Sequence, residues 1–178
     1  YIWLMSRIHL IAIGGSAMHN LALELKAKGH DVTGSDDKFF EPSRSRLANA
    51  GLLPAEEGWD AENVTSEIDL IILGMHAHKD NPELAKALEL GLSIQSYPEF
   101  VFEHSKDRTR VVVAGSHGKT SITSMILHVM NRVSEDVNYL VGAQLEGFDR
   151  MVRLDSNADF IVIEGDEYRL VVRMGKPP

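Results

Sequence analysis

Residues 111–123 read Val111-Val112-Val113-Ala114-Gly115-Ser116-His117-Gly118-Lys119-Thr120-Ser121-Ile122-Thr123. A β-branched run passes through a glycine-punctuated turn into Lys119 and Thr120, and an apolar pattern of helical period follows. Ile122, Met125, Ile126, Val129 and Met130 fall at i, i+3, i+4, i+7 and i+8, which predicts a helix with that face turned inward. Strand, glycine loop and helix start are the parts a phosphate-binding loop needs, because loop N–H groups and the helix N-terminus present positive ends to a polyphosphate. Lys119 is placed to reach terminal phosphates and the Thr120 hydroxyl to ligate Mg²⁺. The loop is a shortened form, G-x-x-G-K-T, since Val113 stands where the general pattern has its first glycine.

Working outward, strands and helices alternate on both sides of this loop. Residues 8–13 form an apolar strand signal broken only by His9, and they run into Gly14-Gly15-Ser16. Met18, Leu21, Ala22 and Leu25 then mark a helix that stops near Gly29. Residues 31–34 read as a second strand ending at Ser35-Asp36, residues 44–50 as a helix stopped by Gly51, and residues 68–73 as a buried strand. Asn81-Pro82-Glu83 supplies an N-cap amide, a proline at the first helical position and an acid in the first turn. That helix runs to Gly91, and Leu92-Ser93-Ile94 begins another strand. After the phosphate loop, strands are expected at residues 139–141 and 160–163. Alternation at this spacing predicts an α/β fold with parallel sheets and right-handed crossovers. The polar stretch 104–110 is expected to divide a Rossmann-like domain, residues 7–104, from the beginning of a P-loop ATPase α/β domain, residues 111–178.

Bulk properties narrow the function classes. The 178 residues carry a net charge of −8, which argues against a broad nucleic-acid or anionic-membrane surface. With no cysteine there is no disulfide framework and no thiolate chemistry. No apolar run approaches the roughly 18–20 residues that span a bilayer. Residues 1–4 lack the features of a secretory signal, so Met5 is expected to be the natural start and the protein to be cytoplasmic. Trp3 and Trp59 stand without interleaved basic residues, so stacking on nucleic acid is not expected.

The first glycine loop, Gly14-Gly15-Ser16-Ala17-Met18, invites a dinucleotide reading, with Asp36 at a suitable distance to meet a ribose hydroxyl. The G-x-G-x-x-G fingerprint fails, because positions 12 and 17 are alanine. A nucleoside-diphosphate ligand fits the double glycine, and NAD is not required. Glu164, in Glu164-Gly165-Asp166-Glu167, follows a buried strand and is a candidate to hold a hard cation beside the phosphates. His76-Ala77-His78 resembles a metal pair without a third ligand in reach of the spacing.

Taken together these motifs resemble the Mur ligase family. Gly115-Ser116-His117-Gly118-Lys119-Thr120 is similar to the family's G-T-H-G-K-T, and residues 8–18 resemble its I-H-x-x-G-I-G-G-x-G-M. Residues 32–36 resemble V-x-G-S-D, Asn81-Pro82-Glu83 the N-P-E segment, and residues 162–168 V-I-E-A-D-E-Y, the last in the form seen in the branch that recycles murein tripeptide. The resemblance implies that the first domain binds UDP-N-acetylmuramate through Gly14, Gly15, Ser16, Ala17 and Met18. Ser35 and Asp36 would then lie near the uridine and His76 near the diphosphate or sugar. It implies that Gly115, Ser116, His117, Gly118, Lys119 and Thr120 bind ATP phosphates, that Thr120 and Glu164 hold Mg²⁺, and that Lys119 and Glu164 are catalytic. The implied reaction joins an amino acid or peptide to the muramyl nucleotide through an acyl phosphate. The family pattern stops after Tyr168, so these residues are expected to be the N-terminal portion of such a ligase, binding the muramyl nucleotide without completing ligation. A non-catalytic nucleotide-binding module and an NAD-dependent oxidoreductase are the alternatives.

Overall fold

The computed structural model describes residues 5–133, 135–145, 147–148, 150–154 and 157–165. They fall into two compact units, the first reaching Phe100 and the second beginning at Val101.

The first unit is an open parallel sheet. Its strands are β1 (Arg7–Ile11), β2 (Asp31–Ser35), β3 (Leu70–Leu73) and β4 (Ile94–Ser96), in the order β2-β1-β3-β4. All three pairings are parallel, with Ile8 opposite both Val32 and Leu70. The helices are α1 (Ser16–Ala27), α2 (Ser43–Asn49), α3 (Pro82–Glu89) and α4 (Tyr97–Ser105), the last continuing past Phe100. Ile8, Leu10, Ile11, Ile13, Leu21, Ile71 and Ile72 are essentially fully buried. Each such side chain contributes about 1.5–3 kcal/mol relative to exposure, which makes burial on both faces of this sheet the main source of the unit's stability. The chain leaves β1 for α1 on one side and places β3 on the other. The order of strands therefore reverses beside β1, where ligands of open α/β sheets bind beyond the carboxyl ends.

β1 ends two residues before the expected limit. Ala12 takes φ +68°, and the amides of Ala12 and Ile13 both donate to the Ser35 carbonyl, at 2.9 and 3.0 Å. That turn breaks the extended run although the residues remain apolar. The Asn81 cap forms as its sequence predicts, its side chain accepting from the Glu83 and Leu84 amides. α4 occupies sequence that was expected to lead through a strand into a polar break.

The second unit has strands β5 (Thr109–Val113), β6 (Val137–Leu140), β7 (Val152–Arg153) and β8 (Phe160–Glu164), in the order β5-β8-β6-β7. β8 pairs in parallel with β5 and β6, and β7 closes the edge antiparallel to β6. Helix α5 (Lys119–Arg132) follows the phosphate loop. Its expected inward face needs correction. Thr123 and Leu127 are the buried positions, and Ile126 and Met130 pack beside them, whereas Ile122, Met125 and Val129 are exposed. The helix is rotated so that Leu127 meets Val113, Tyr139 and Val162, and five apolar residues are more than one contact face can cover.

Candidate functional site

The first glycine loop connects β1 to α1. Gly15 is the N-cap of α1, with no side-chain cap and no acid in the first turn, so the first-turn amides are left for water or a ligand. Gly14 donates its amide to Asp36 Oδ2 at 2.7 Å, and Asp37 donates its own to Asp36 Oδ1 at 2.9 Å. A Cβ on Gly14 would lie 2.9 Å from Asp36 Oδ2, which is why this approach needs glycine. Asp36 is buried, and its pKa is pushed up to about 6, first by burial and then by the Asp37 side chain. The Asp36 carboxylate, expected to face a ribose, is thus engaged with the backbone of the loop.

Ser35 is also buried, and its hydroxyl donates to Glu83 Oε2. Glu83 is fully buried and gathers His9 Nε2 at 3.3 Å, the Asp60 amide at 3.2 Å and Asn63 Nδ2 at 3.0 Å. Burial pushes this carboxyl up, but hydrogen bonds from His9, Asn63 and Ser35 outweigh it and hold the pKa below the usual value. Ser35 and Asp36 therefore tie β2 to the loop and to α3 rather than offering free polar atoms. Met18, expected among the ligand residues, is buried beside Gly74, where an added Cβ would meet Met18 Cγ at 3.0 Å. Gly14, Gly15 and Ala17 are partly exposed, Ser16 is exposed, and His76 is exposed in the loop after β3. Among the described residues, no group of three or more His, Cys, Asp or Glu could hold a metal ion, so His76 and His78 do not form a metal centre there.

The second loop spans β5 and α5. Gly115 has φ +153° and Gly118, the N-cap of α5, has φ +76°, conformations that favour glycine. Ser116 and His117 are exposed between them. Lys119 folds back so that Nζ donates to the Gly115 carbonyl at 3.0 Å. Thr120 Oγ1 donates to Glu164 Oε1 at 2.6 Å, and the Gly142 amide donates to Glu164 Oε2 at 3.1 Å. Gly165 then bonds the Val113 carbonyl at 2.9 Å, and a Cβ there would meet Val112 Cγ1 at 3.2 Å. Parallel pairing of β5 with β8 brings Thr120 and Glu164 together across 44 residues of sequence. The donor set fits Mg²⁺, which takes one or two protein oxygens and draws its remaining ligands from phosphate and water. Asp166, Glu167 and Tyr168 lie outside the described residues.

Sequence reasoning missed three contributors: Gly142, the Glu83 hub, and the pair formed by His19 of α1 and Arg46 of α2, whose Nε2 and Nη1 lie 3.2 Å apart. Two polar residues within the apolar pattern of α1, His19 and Asn20, were the one available signal for the last.

The family model "Mur ligase family, catalytic domain" matches residues 7–109. The chain belongs to the Mur ligase family. The UDP-N-acetylmuramate–L-alanine ligase of Ligilactobacillus salivarius is 38% identical over 161 residues, covering 89% of this chain and 34% of that protein. Among solved structures, the UDP-N-acetylmuramate:L-alanyl-γ-D-glutamyl-meso-diaminopimelate ligase of Neisseria meningitides superposes with a TM-score of 0.80 at 33% identity, over 92% of this chain and 53% of that one. The murein peptide ligase of Psychrobacter arcticus gives a TM-score of 0.77 at 31% identity, over 92% and 38%. This Mur ligase chain spans about a third of the length of the curated relatives it matches. Among its described residues no helix is long and apolar enough to cross a membrane.

Proposed function

We propose that this chain is the nucleotide-binding N-terminal part of an ATP-dependent ligase that joins an amino acid or peptide to UDP-N-acetylmuramate in peptidoglycan synthesis or recycling. The first unit binds the UDP-muramyl nucleotide at the loop of Gly14 and Gly15, with the uncapped first-turn amides of Ser16 and Ala17 facing its diphosphate. His76, exposed after β3, is assigned to the same ligand. The second unit binds Mg·ATP, and the protein acts in the cytoplasm.

The observation that carries the reading is the Lys119–Thr120–Glu164 cluster at the carboxyl end of paired parallel strands in a Mur ligase chain. ATP supplies the phosphoryl group that makes a carboxylate an acyl phosphate open to attack by an amine. This chain's residues do the rest by charge and alignment. The glycine loop aims N–H groups at the phosphates, and Lys119 exchanges the Gly115 carbonyl for phosphate oxygen. Thr120 and Glu164 offer adjoining hard oxygens to the divalent cation. The Gly142 amide holds the second oxygen of Glu164 and so fixes the carboxylate plane.

Calorimetric titration tests the reading: UDP-N-acetylmuramate and Mg·ATP against the chain, with NADH as control. Saturable heat with UDP-N-acetylmuramate, and with Mg·ATP only while Lys119 is intact, is the expected result. Saturable NADH binding with silence toward the sugar nucleotide would overturn it.

A further inference from the structure

The chain bears a cation that the chemistry so far leaves unused. Arg46 lies on α2, half-buried, and its Nη1 donates to Asn20 Oδ1 at 2.7 Å and approaches His19 Nε2 at 3.2 Å. Both acceptors are neutral, and no carboxylate pairs with Arg46 among the described residues. In a chain of net charge −8, a guanidinium committed to a histidine and an amide needs a reason.

The far side of the imidazole supplies one. His19 is 2% exposed, and its Nδ1 lies 2.9 Å from the Gly15 carbonyl. A carbonyl only accepts, so Nδ1 carries the proton. Arg46 only donates, so Nε2 must be the bare nitrogen. Each neighbour demands the same neutral tautomer. Burial lowers the pKa of His19, and the positive charge of Arg46 lowers it further, against the raising effect of the Gly15 bond. Asn20 completes the arrangement by donating Nδ2 to the Ser16 carbonyl at 2.8 Å. The carbonyls of Gly15 and Ser16 are therefore both gripped from inside α1. The amides on the same peptide units are those proposed to meet a diphosphate.

We infer that Arg46 is a positioning residue for the first glycine loop, acting through the Nδ1–H tautomer of His19 to fix the orientation of the Gly15–Ser16 peptide. Arg46 need not touch the ligand to do this. Its consequence for binding rests on the muramyl-nucleotide reading above, while its effect on the loop is a property of the free chain.

The experiment has one arm for each. In the free 178-residue chain, long-range ¹H–¹⁵N correlation of His19 reads the tautomer, and the Ser16 and Ala17 amide shifts read the two peptide units whose carbonyls are held. The expected result is a single Nδ1–H tautomer in wild type and, in R46M, where the Gly15 carbonyl alone still selects it, a reduced share of that tautomer, with both amides moving. An unchanged tautomer and unchanged amides in R46M overturn the inference. In the second arm UDP-N-acetylmuramate is titrated into wild type, R46M, H19N and the double variant. Asparagine keeps a donor for the Gly15 carbonyl but offers Arg46 no ring nitrogen. R46M is expected to weaken binding about tenfold, equivalent to about 1.4 kcal/mol. In the H19N background the same change is expected to add less than about twofold, because the route through the ring is already cut. Equal losses in the two backgrounds, or R46M affinity unchanged despite an altered tautomer, overturn it. Wild type that fails to bind the sugar nucleotide overturns the muramyl reading and leaves the first arm to decide the loop. Should R46M not fold, R46K keeps the charge, and retention of the wild-type tautomer there is the result expected.

Discussion

Gly34 in β2 is where the first loop is pressed hardest onto the sheet. A Cβ built on it would lie 2.6 Å from Ile13 Cδ1, 2.7 Å from the Leu10 carbonyl oxygen and 2.8 Å from Ile13 Cβ. These distances are roughly 0.6–0.8 Å short of an ordinary contact. Ile13 Cδ1 is a flexible end and can swing away. The other two atoms are fixed to the backbone of β1 and of the turn that starts the loop, so Gly34→Ala must part β2 from that turn. Overpacking of this kind costs about 1–3 kcal/mol, and backbone obstruction places it near the top of that range. Both tryptophans, Trp3 and Trp59, precede the second unit, so tryptophan fluorescence in urea follows the first unit. With an m-value of about 1.5 kcal/mol/M for a unit of this size, the midpoint should fall by about 2 M. The displaced turn should also weaken UDP-N-acetylmuramate binding in proportion to the loss of the Ala12 and Ile13 bonds to Ser35. A midpoint shift below about 0.3 M would refute the claim that bare backbone contact seats the loop.

Gly14→Ala should act more on binding than on stability, because its Cβ meets no backbone atom, only the side chains of Asp36, at 2.9 Å to Oδ2, and Phe39, at 3.2 Å to Cδ1. The expected midpoint change is under about 1 kcal/mol, with an affinity loss of about tenfold for UDP-N-acetylmuramate as the carboxylate leaves the Gly14 amide; equal losses in both would contradict this. Asp36, raised from 3.8 to about 6, keeps a proton in the folded unit that the unfolded chain has already lost. Its stability contribution therefore falls as pH rises from about 4 to about 6. Urea midpoints across that window should show a downward component in wild type that Asp36→Asn removes, and parallel profiles would rule it out. Glu164→Gln keeps an oxygen to accept from the Gly142 amide and an NH₂ that can donate to the Thr120 hydroxyl, but removes the charge, so Mg·ATP affinity should drop about tenfold or more while the melting temperature moves little. Titration calorimetry and calorimetric unfolding read the two quantities, and unchanged Mg·ATP affinity would remove Glu164 from the cation site.

How much of this was legible in the sequence follows from where the information sits. The strand and helix order was readable because each element carries its own apolar period, and the Asn81-Pro82-Glu83 start is local chemistry. α4 had a local signal as well. Ser96 and Glu99 exchange hydrogen bonds, the Ser96 amide reaching Glu99 Oε2 at 2.8 Å and the Glu99 amide Ser96 Oγ at 3.4 Å. That capping box was hidden in a stretch read as strand and linker. The buried face of α5 was not legible, because its six apolar positions admit two faces and only the sheet chooses between them. In the candidate sites, the loop glycines, Lys119 and the Thr120–Glu164 pairing followed from motif logic. The inward commitment of Ser35, Asp36 and Met18 did not. Nothing in a spacing of 22 residues between Gly14 and Asp36 says whether the carboxylate serves a ligand or the loop itself. That is decided by how closely β2 approaches the turn after β1.

Ala12 shows the same logic from the opposite side, since it departs from the glycine of the family pattern yet holds φ +68°. For an L-residue this conformation costs about 1–2 kcal/mol. The methyl that incurs the cost is 1% exposed, and burying one such carbon returns about 0.8 kcal/mol. Room for it exists because position 74 is glycine. A Cβ there would meet Ala12 Cβ at 3.0 Å, Met18 Cγ at 3.0 Å and the Ala12 carbonyl at 3.1 Å. The alanine at 12 and the glycine at 74 are thus halves of one packing solution, joining the ends of β1 and β3 beside the loop. Their replacement should be non-additive. Gly74→Ala alone should destabilise by about 1–3 kcal/mol, as two groups that cannot both retreat are crowded. Ala12→Gly alone should be close to neutral, with relief of the backbone conformation offset by the lost methyl and by added freedom in the unfolded chain. In the double variant the methyl has in effect moved from one strand end to the other. It should recover about 1 kcal/mol of the Gly74→Ala loss, while Met18 and the Ala12 carbonyl keep the recovery incomplete. A cycle that closes to within about 0.3 kcal/mol would mean that the two positions do not share the space, and that the alanine owes its conformation to something other than its neighbour.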